Sequence, residues 1–256
     1  MSLDPYPSIS ANTLFHFTND MKNLVGILRN EFRPHYCLED LNPLFHLDFI
    51  EEDRYLFELA IPMVSFCDLP FSQARRHLAM YGDYGIGMTK EWGKRHGISP
   101  VLYIYQRSLN TKTISNFLAR TIAKDAKKYD ELFVFGCFVK PYEGDFWRKS
   151  GIIPNVRFYD EREWRYVPVP YTTRTSLFMD KDEFLDHKRR AKKERLMTRY
   201  RIPFEPNDIK YLIVRREEEI VPFIRNIQEI KGKYSLQEVQ LLTSRVISAE
   251  QIRADF

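Results

Sequence analysis

The run FYDEREWRYV, residues 158–167, sets two carboxylates two residues apart beside an arginine. In an extended chain side chains alternate between faces, so Glu161, Glu163 and Arg165 share one face and Trp164 and Tyr166 the other. Carboxylates that close repel, and one of them is expected to have a raised pKa or a basic or hydroxyl partner. Such a pair could grip a sugar hydroxyl and stabilise a developing cation. A surface strand of alternating charges would show the same spacing. Four other residues have the same double character. His16 in LFHFT is either a catalyst or a hydrogen-bonded core histidine, and Ser65 in MVSFCD is either a ligand hydroxyl or one bonded to backbone. Tyr81 and Tyr84, around Gly82, either stack on a planar ligand or fill the core.

These residues need elements to hold them. Residues 13–17 read as a strand, with Thr18, Asn19 and Asp20 as candidate caps of a helix whose apolar face is Met21, Leu24, Val25 and Leu28. A helix is expected at 48–60 and a buried strand at 61–67. Ser72 is placed to cap a helix holding Ala74, Leu78 and Tyr81. A strand follows around Ile86 and Met88, Thr89 caps a short helix, and 101–105 is extended. Farther on, the pattern gives a helix at 113–129, a strand or else a helix segment at 132–139, and an extended run at 158–169. Asp180, with Glu183 in the capping-box position, opens a highly charged helix. The tail reads as strand 211–215, helix 219–227, strand 241–247 and a final turn capped by Ser248 and Gln251. This irregular interleaving, without a 20–50-residue repeat or a Gly/Ser linker, points to one α+β domain over residues 1–256. The charged helical segment at about 180–201 is an insertion in it.

Composition narrows the class. With 256 residues, 44% hydrophobic and 14% aromatic, the chain has ample material for a core, which excludes a disordered class. The net charge of +4 is local: the segment from Lys188 to Arg201 holds eight basic residues and one acidic, leaving 31 basic against 34 acidic elsewhere. That segment could contact nucleic-acid phosphates, dock a partner or remain a solvated helix. Cys37, Cys67 and Cys137 are odd in number and share no metal-ligand spacing, so they are expected to be buried or partly buried thiols, with no metal site. No signal-peptide pattern or membrane-length apolar run is present, and a cytoplasmic location is expected. P-loop, G-x-S-x-G and H-E-x-x-H patterns are absent, and GDYGIG does not fit a dinucleotide fingerprint.

Taken in order, LFHFT with DMKNLVGIL, then PMVSFCDLPFSQARRHLAMYGDYGIGMTKEWG, then YDEREWRYVP, resemble the abortive phage-resistance AbiGi family, from about Leu14 to Pro168. That resemblance implies a bacterial or phage-borne defence protein on the antitoxin side of a toxin–antitoxin pair, with a toxin partner. More distantly, a His on a first strand, a Ser on a second and a late E-x-E are similar to the ADP-ribosyltransferase superfamily. This similarity implies a split mixed sheet with peripheral helices and NAD as cofactor. It makes His16, Ser65 and Tyr81 cofactor-binding residues. Glu163 would then be the catalytic contact to the nicotinamide ribose, with Glu161 orienting acceptor or water. Two classes follow: a non-enzymatic antitoxin that kept the fold, and an active NAD-dependent ADP-ribosyltransferase or glycohydrolase.

Overall fold

A computed structural model describes residues 10–41, 58–106, 108–124, 134–148, 151–168 and 177–256. In chain order the elements begin with β1 (Thr13–Thr18), α1 (Met21–Asn30), β2 (His35–Asp40), β3 (Glu58–Cys67), α2 (Ala74–Tyr81) and β4 (Tyr84–Thr89). They continue with α3 (Lys90–Arg95), β5 (Ser99–Pro100), β6 (Leu102–Ile104), α4 (Leu109–Lys124), β7 (Val139–Pro141), β8 (Glu143–Arg148), β9 (Gly151–Arg157) and β10 (Glu163–Tyr166). The last are β11 (Met179–Asp180), α5 (Lys181–Leu185), α6 (His187–Leu196), β12 (Ile209–Val214), α7 (Ile220–Lys231), α8 (Leu236–Thr243), β13 (Val246–Ser248) and α9 (Ala249–Asp255). The residues form two compact units. One takes the chain up to Arg33, Ser65–Ile98 and Arg201–Phe256; the other takes Pro34–Val64 and Ser99–Tyr200.

The first unit holds a mixed sheet in the order β13-β12-β4-β1-β3. Strand β1 pairs antiparallel with β4 along its length, His16 opposite Ile86, and with β3 through Phe15 and Cys67. Strands β12 and β13 are parallel, which requires the long crossover that α7 and α8 supply. Helix α1 starts where Asp20 accepts a hydrogen bond from the Lys22 amide at 2.8 Å, and it buries Leu24 and Leu28. Thr89 caps α3 through the Trp92 amide, and Ser248 and Gln251 form a reciprocal capping box on α9. Gly82 (φ +115°) ends α2 where a Cβ would lie 2.4 Å from the Thr18 carbonyl oxygen and the Asn19 Cα, so only glycine fits.

In the second unit β2 and β11 both pair with β3, β6 runs parallel to β7, β8 and β9 form a hairpin, and β10 pairs with β5. Its core includes Leu41, Ile61, Met63, Ile104, Leu118, Cys137 and Val139.

Several sequence expectations are corrected. Residues 134–136 are helical and strand β7 begins only at Val139, because Cys137 and Phe138 form the turn between them. Residues 241–243 close helix α8, whose Ser235 capping box sets the helical register, and the strand is only Val246–Ser248. Of the helix expected at 48–60, Glu58 to Ala60 lie in strand β3, paired with β2, and the rest falls outside the described residues. Ser72 caps no helix; it sits in a 3-10 turn, and Gln73 precedes α2 without a side-chain cap. Residues 158–161 also form a 3-10 turn rather than extended chain. Cys67 and Cys137 are buried, while Cys37, on β2, is exposed.

Candidate functional site

The two halves of the expected site fall in different units: His16, Ser65 and Tyr81 in the first, Glu161 and Glu163 in the second. Within the first, Nδ1 of His16 lies 2.8 Å from the carbonyl oxygen of Ser65, so the imidazole meets the backbone of that strand. The imidazole packs edge-on to Phe32 at 5.5 Å and beside Phe66 at 5.8 Å, joining an aromatic cluster that also includes the fully buried Trp92. Tyr81 sits at the end of α2 with its ring 5.6 Å from that of His77. Tyr84 is buried and donates to Glu219 at 2.9 Å. Burial and that hydrogen bond push its hydroxyl up to about 12.

In the second unit the E-x-E carboxylates belong to a buried ion network. The turn Phe158–Glu161 delivers Glu161, and Arg162, in the left-handed conformation (φ 44°), redirects the chain into β10. Strand β10 then turns Glu163 and Arg165 inward, with Trp164 and Tyr166 less buried. The lysine between the two carboxylates comes from β7: Lys140 donates to Glu161 at 2.6 Å and to Glu163 at 2.7 Å. Arg165, fully buried, donates through Nε to Glu163 at 2.7 Å, through Nη1 to the Cys137 carbonyl at 2.9 Å and through Nη2 to Glu39 of β2 at 2.9 Å. Tyr103 of β6 accepts from the Glu163 amide at 2.8 Å.

The electrostatics follow from this geometry. Burial disfavours the Glu163 anion, but Arg165 and Lys140 outweigh it and hold the carboxyl well below the usual range. Burial disfavours charge on Lys140 too, and Glu163, Glu161 and Glu39 reverse that and hold the ammonium firmly protonated. The expectation of a partnered carboxylate pair is met by a base, and Glu163 is shifted down rather than up. An exposed strand of alternating charges is not what the chain forms, since Glu161, Glu163 and Arg165 are all buried.

Sequence reasoning missed Lys140, Glu39 and Tyr103. Lys140 had a signal: a lysine between Val139 and Pro141 in the apolar run FVKPY is out of place unless a carboxylate meets it. Glu39 and Tyr103 carried none, because their partners lie 126 and 60 residues away.

The family model described as putative abortive phage resistance protein AbiGi, antitoxin, matches residues 30–215. The chain belongs to the AbiGi family. An abortive phage resistance protein AbiGi from Lactococcus lactis subsp. cremoris is 26% identical over 257 residues, covering 88% of this chain and 99% of that protein. No solved structure matches the chain significantly. The AbiGi match includes the whole of the ion network and also Ser65 and Tyr81, while His16 lies before it. Among the described residues of this AbiGi chain, no helix is long and apolar enough to cross a membrane.

Proposed function

We propose that this chain acts in phage defence as the antitoxin-side member of a toxin–antitoxin pair, and that it does so by binding a protein toxin rather than by turning over NAD. The observation that carries the reading is the state of Glu163. Its carboxylate accepts three hydrogen bonds from two cations, at 2.7, 2.7 and 3.2 Å, and its side chain is only 7% exposed. A carboxylate serving a ribose hydroxyl needs access to the ligand and spare acceptor capacity, and three of the roughly four acceptor sites of Glu163 are already taken. Glu163 is instead placed like a structural anion, so the residues present fit NAD chemistry poorly. The description of the AbiGi family model as an antitoxin supports the same reading.

A growth assay tests it. A toxin drawn from genes encoded beside this one should arrest growth alone and not when this chain is co-expressed. Arrest that persists with this chain abundant would overturn the reading. Release of nicotinamide from NAD by the purified protein, abolished in Glu163→Gln, would establish the ADP-ribosyltransferase alternative instead.

A further inference from the structure

Helix α6 and the turn after it present a stripe of cations. Lys188, Lys192 and Arg195 recur at i, i+4 and i+7 of α6, which at 3.6 residues per turn is one helix face, and Arg199 follows in the 3-10 turn Met197–Tyr200. All four are exposed, and none forms an ion pair among the described residues. The opposite face is spoken for, so the helix is docked rather than projecting. Lys193 donates to the Phe178 carbonyl at 2.6 Å and pairs with Glu183 at 3.0 Å. Glu194 pairs with His35 at 3.5 Å, Arg190 lies over the Phe184 ring at 5.1 Å, and Met197 is fully buried.

The stripe weakens the helix that carries it. Lys188 and Lys192 are like charges four residues apart on α6, an unfavourable pair. Two leucines flank the stripe, Leu185 at 59% and Leu196 at 41% exposure. The carboxylates of Asp182 and Asp186 are exposed at the same end.

We propose that this face docks an acidic amphipathic segment of a partner protein. Carboxylates spaced along one side of a helix would meet Lys188, Lys192 and Arg195 over about 10 Å, with Arg199 just beyond, and its apolar side chains would cover the two leucines. A nucleic-acid backbone would use the cations and gain nothing from the leucines. The proposal rests on the antitoxin reading only in identifying that partner as the toxin.

The probe is a labelled peptide of about 18 residues with Glu at i, i+4, i+7 and i+11 and Leu beside them, long enough to cover the stripe. Its scrambled counterpart and a DNA duplex serve as competitors, and binding is read by fluorescence anisotropy. The ordered peptide should bind best, more weakly as salt rises. Replacing Lys188, Lys192, Arg195 and Arg199 by Glu should weaken binding by about tenfold to a hundredfold, four surface contacts of modest worth each. The melting temperature should hold. If the Glu variant misfolds, the same four changed to Gln decide, with a smaller loss in the same direction. Equal binding of the scrambled peptide, tighter binding of duplex DNA, or unchanged binding by a folded variant overturns the proposal. Lost peptide binding with toxin neutralisation intact would overturn only the identification of the partner as the toxin.

Discussion

Glu163 shows how one residue type and spacing can serve two chemistries, and what distinguishes them is the donors around it. A buried carboxylate between a lysine and an arginine is costly to desolvate, and it persists only because both neighbours stay charged. Glu163→Gln keeps the shape and removes the anion, leaving Lys140 and Arg165 short of a counter-charge. The expected loss is about 3 kcal/mol in stability, as for breaking a buried pair from one side. Urea denaturation checks it, and a variant as stable as wild type would show the network to be dispensable. The pH dependence has a definite sign. The Glu163 carboxyl is held below its ordinary value, so its contribution is complete above about pH 4.3 and disappears as pH falls through the lower folded value. The urea midpoint of wild type should therefore drop on acidification more steeply than that of Glu163→Gln. Parallel acid limbs would place the titrating group elsewhere. The carboxylate pair and its need for a partner were legible in residues 158–167. Its burial was not, because the partners come from β2, β6 and β7, and no local pattern joins elements so far apart in sequence.

Elements with their own start signals were legible from the chain itself. Helices α1, α3 and α9 begin where Asp20, Thr89 and Ser248 accept hydrogen bonds from amides two or three residues on, a pattern set by neighbours in the chain. The failures lie where a turn interrupts an apolar or alternating run. Arg162 in the left-handed conformation breaks what reads as one strand from 158 to 169, and nothing in an arginine announces that conformation. Gly82 is the opposite case, a glycine whose position is dictated by space. Gly82→Ala would drive a methyl group to 2.4 Å from the Thr18 carbonyl oxygen and the Asn19 Cα, at a φ of +115° that alanine avoids. Backbone cannot retreat as a flexible side chain could, so the expected destabilisation exceeds about 2 kcal/mol. Chemical denaturation of the purified variant measures it, and a change under about 0.5 kcal/mol, the range of a neutral surface substitution, would mean that the β1–α1 connection moves freely.

At the scale of the molecule, each compact unit is assembled from stretches that are not adjacent in sequence, so no single cut in the chain releases a unit intact. The first unit shows this best. Its strands β12 and β13 arrive only after Arg201, and β12 supplies the antiparallel partner of β4 from Ile209 to Ile213. The same stretch brings Ile213, Ala249 and Ile252, all fully buried, onto Phe15, Cys67, Leu69 and Leu78, which come from the earlier part of the chain. A chain ended at Tyr200 would leave β4 with an unpaired edge and that apolar surface in water, a combination that favours aggregation. It would also remove Pro203, whose carbonyl accepts from the indole of the fully buried Trp92 at 2.9 Å. The expected product of residues 1–200 is therefore insoluble, or soluble without cooperative unfolding of the first unit. Size-exclusion chromatography with thermal melts of Trp92 fluorescence, read in a variant lacking Trp147 and Trp164, checks it. A monomeric 1–200 fragment that melts cooperatively with the wild-type Trp92 signal would mean that the strands before Arg33 and at Ser65–Ile98 hold together without β12.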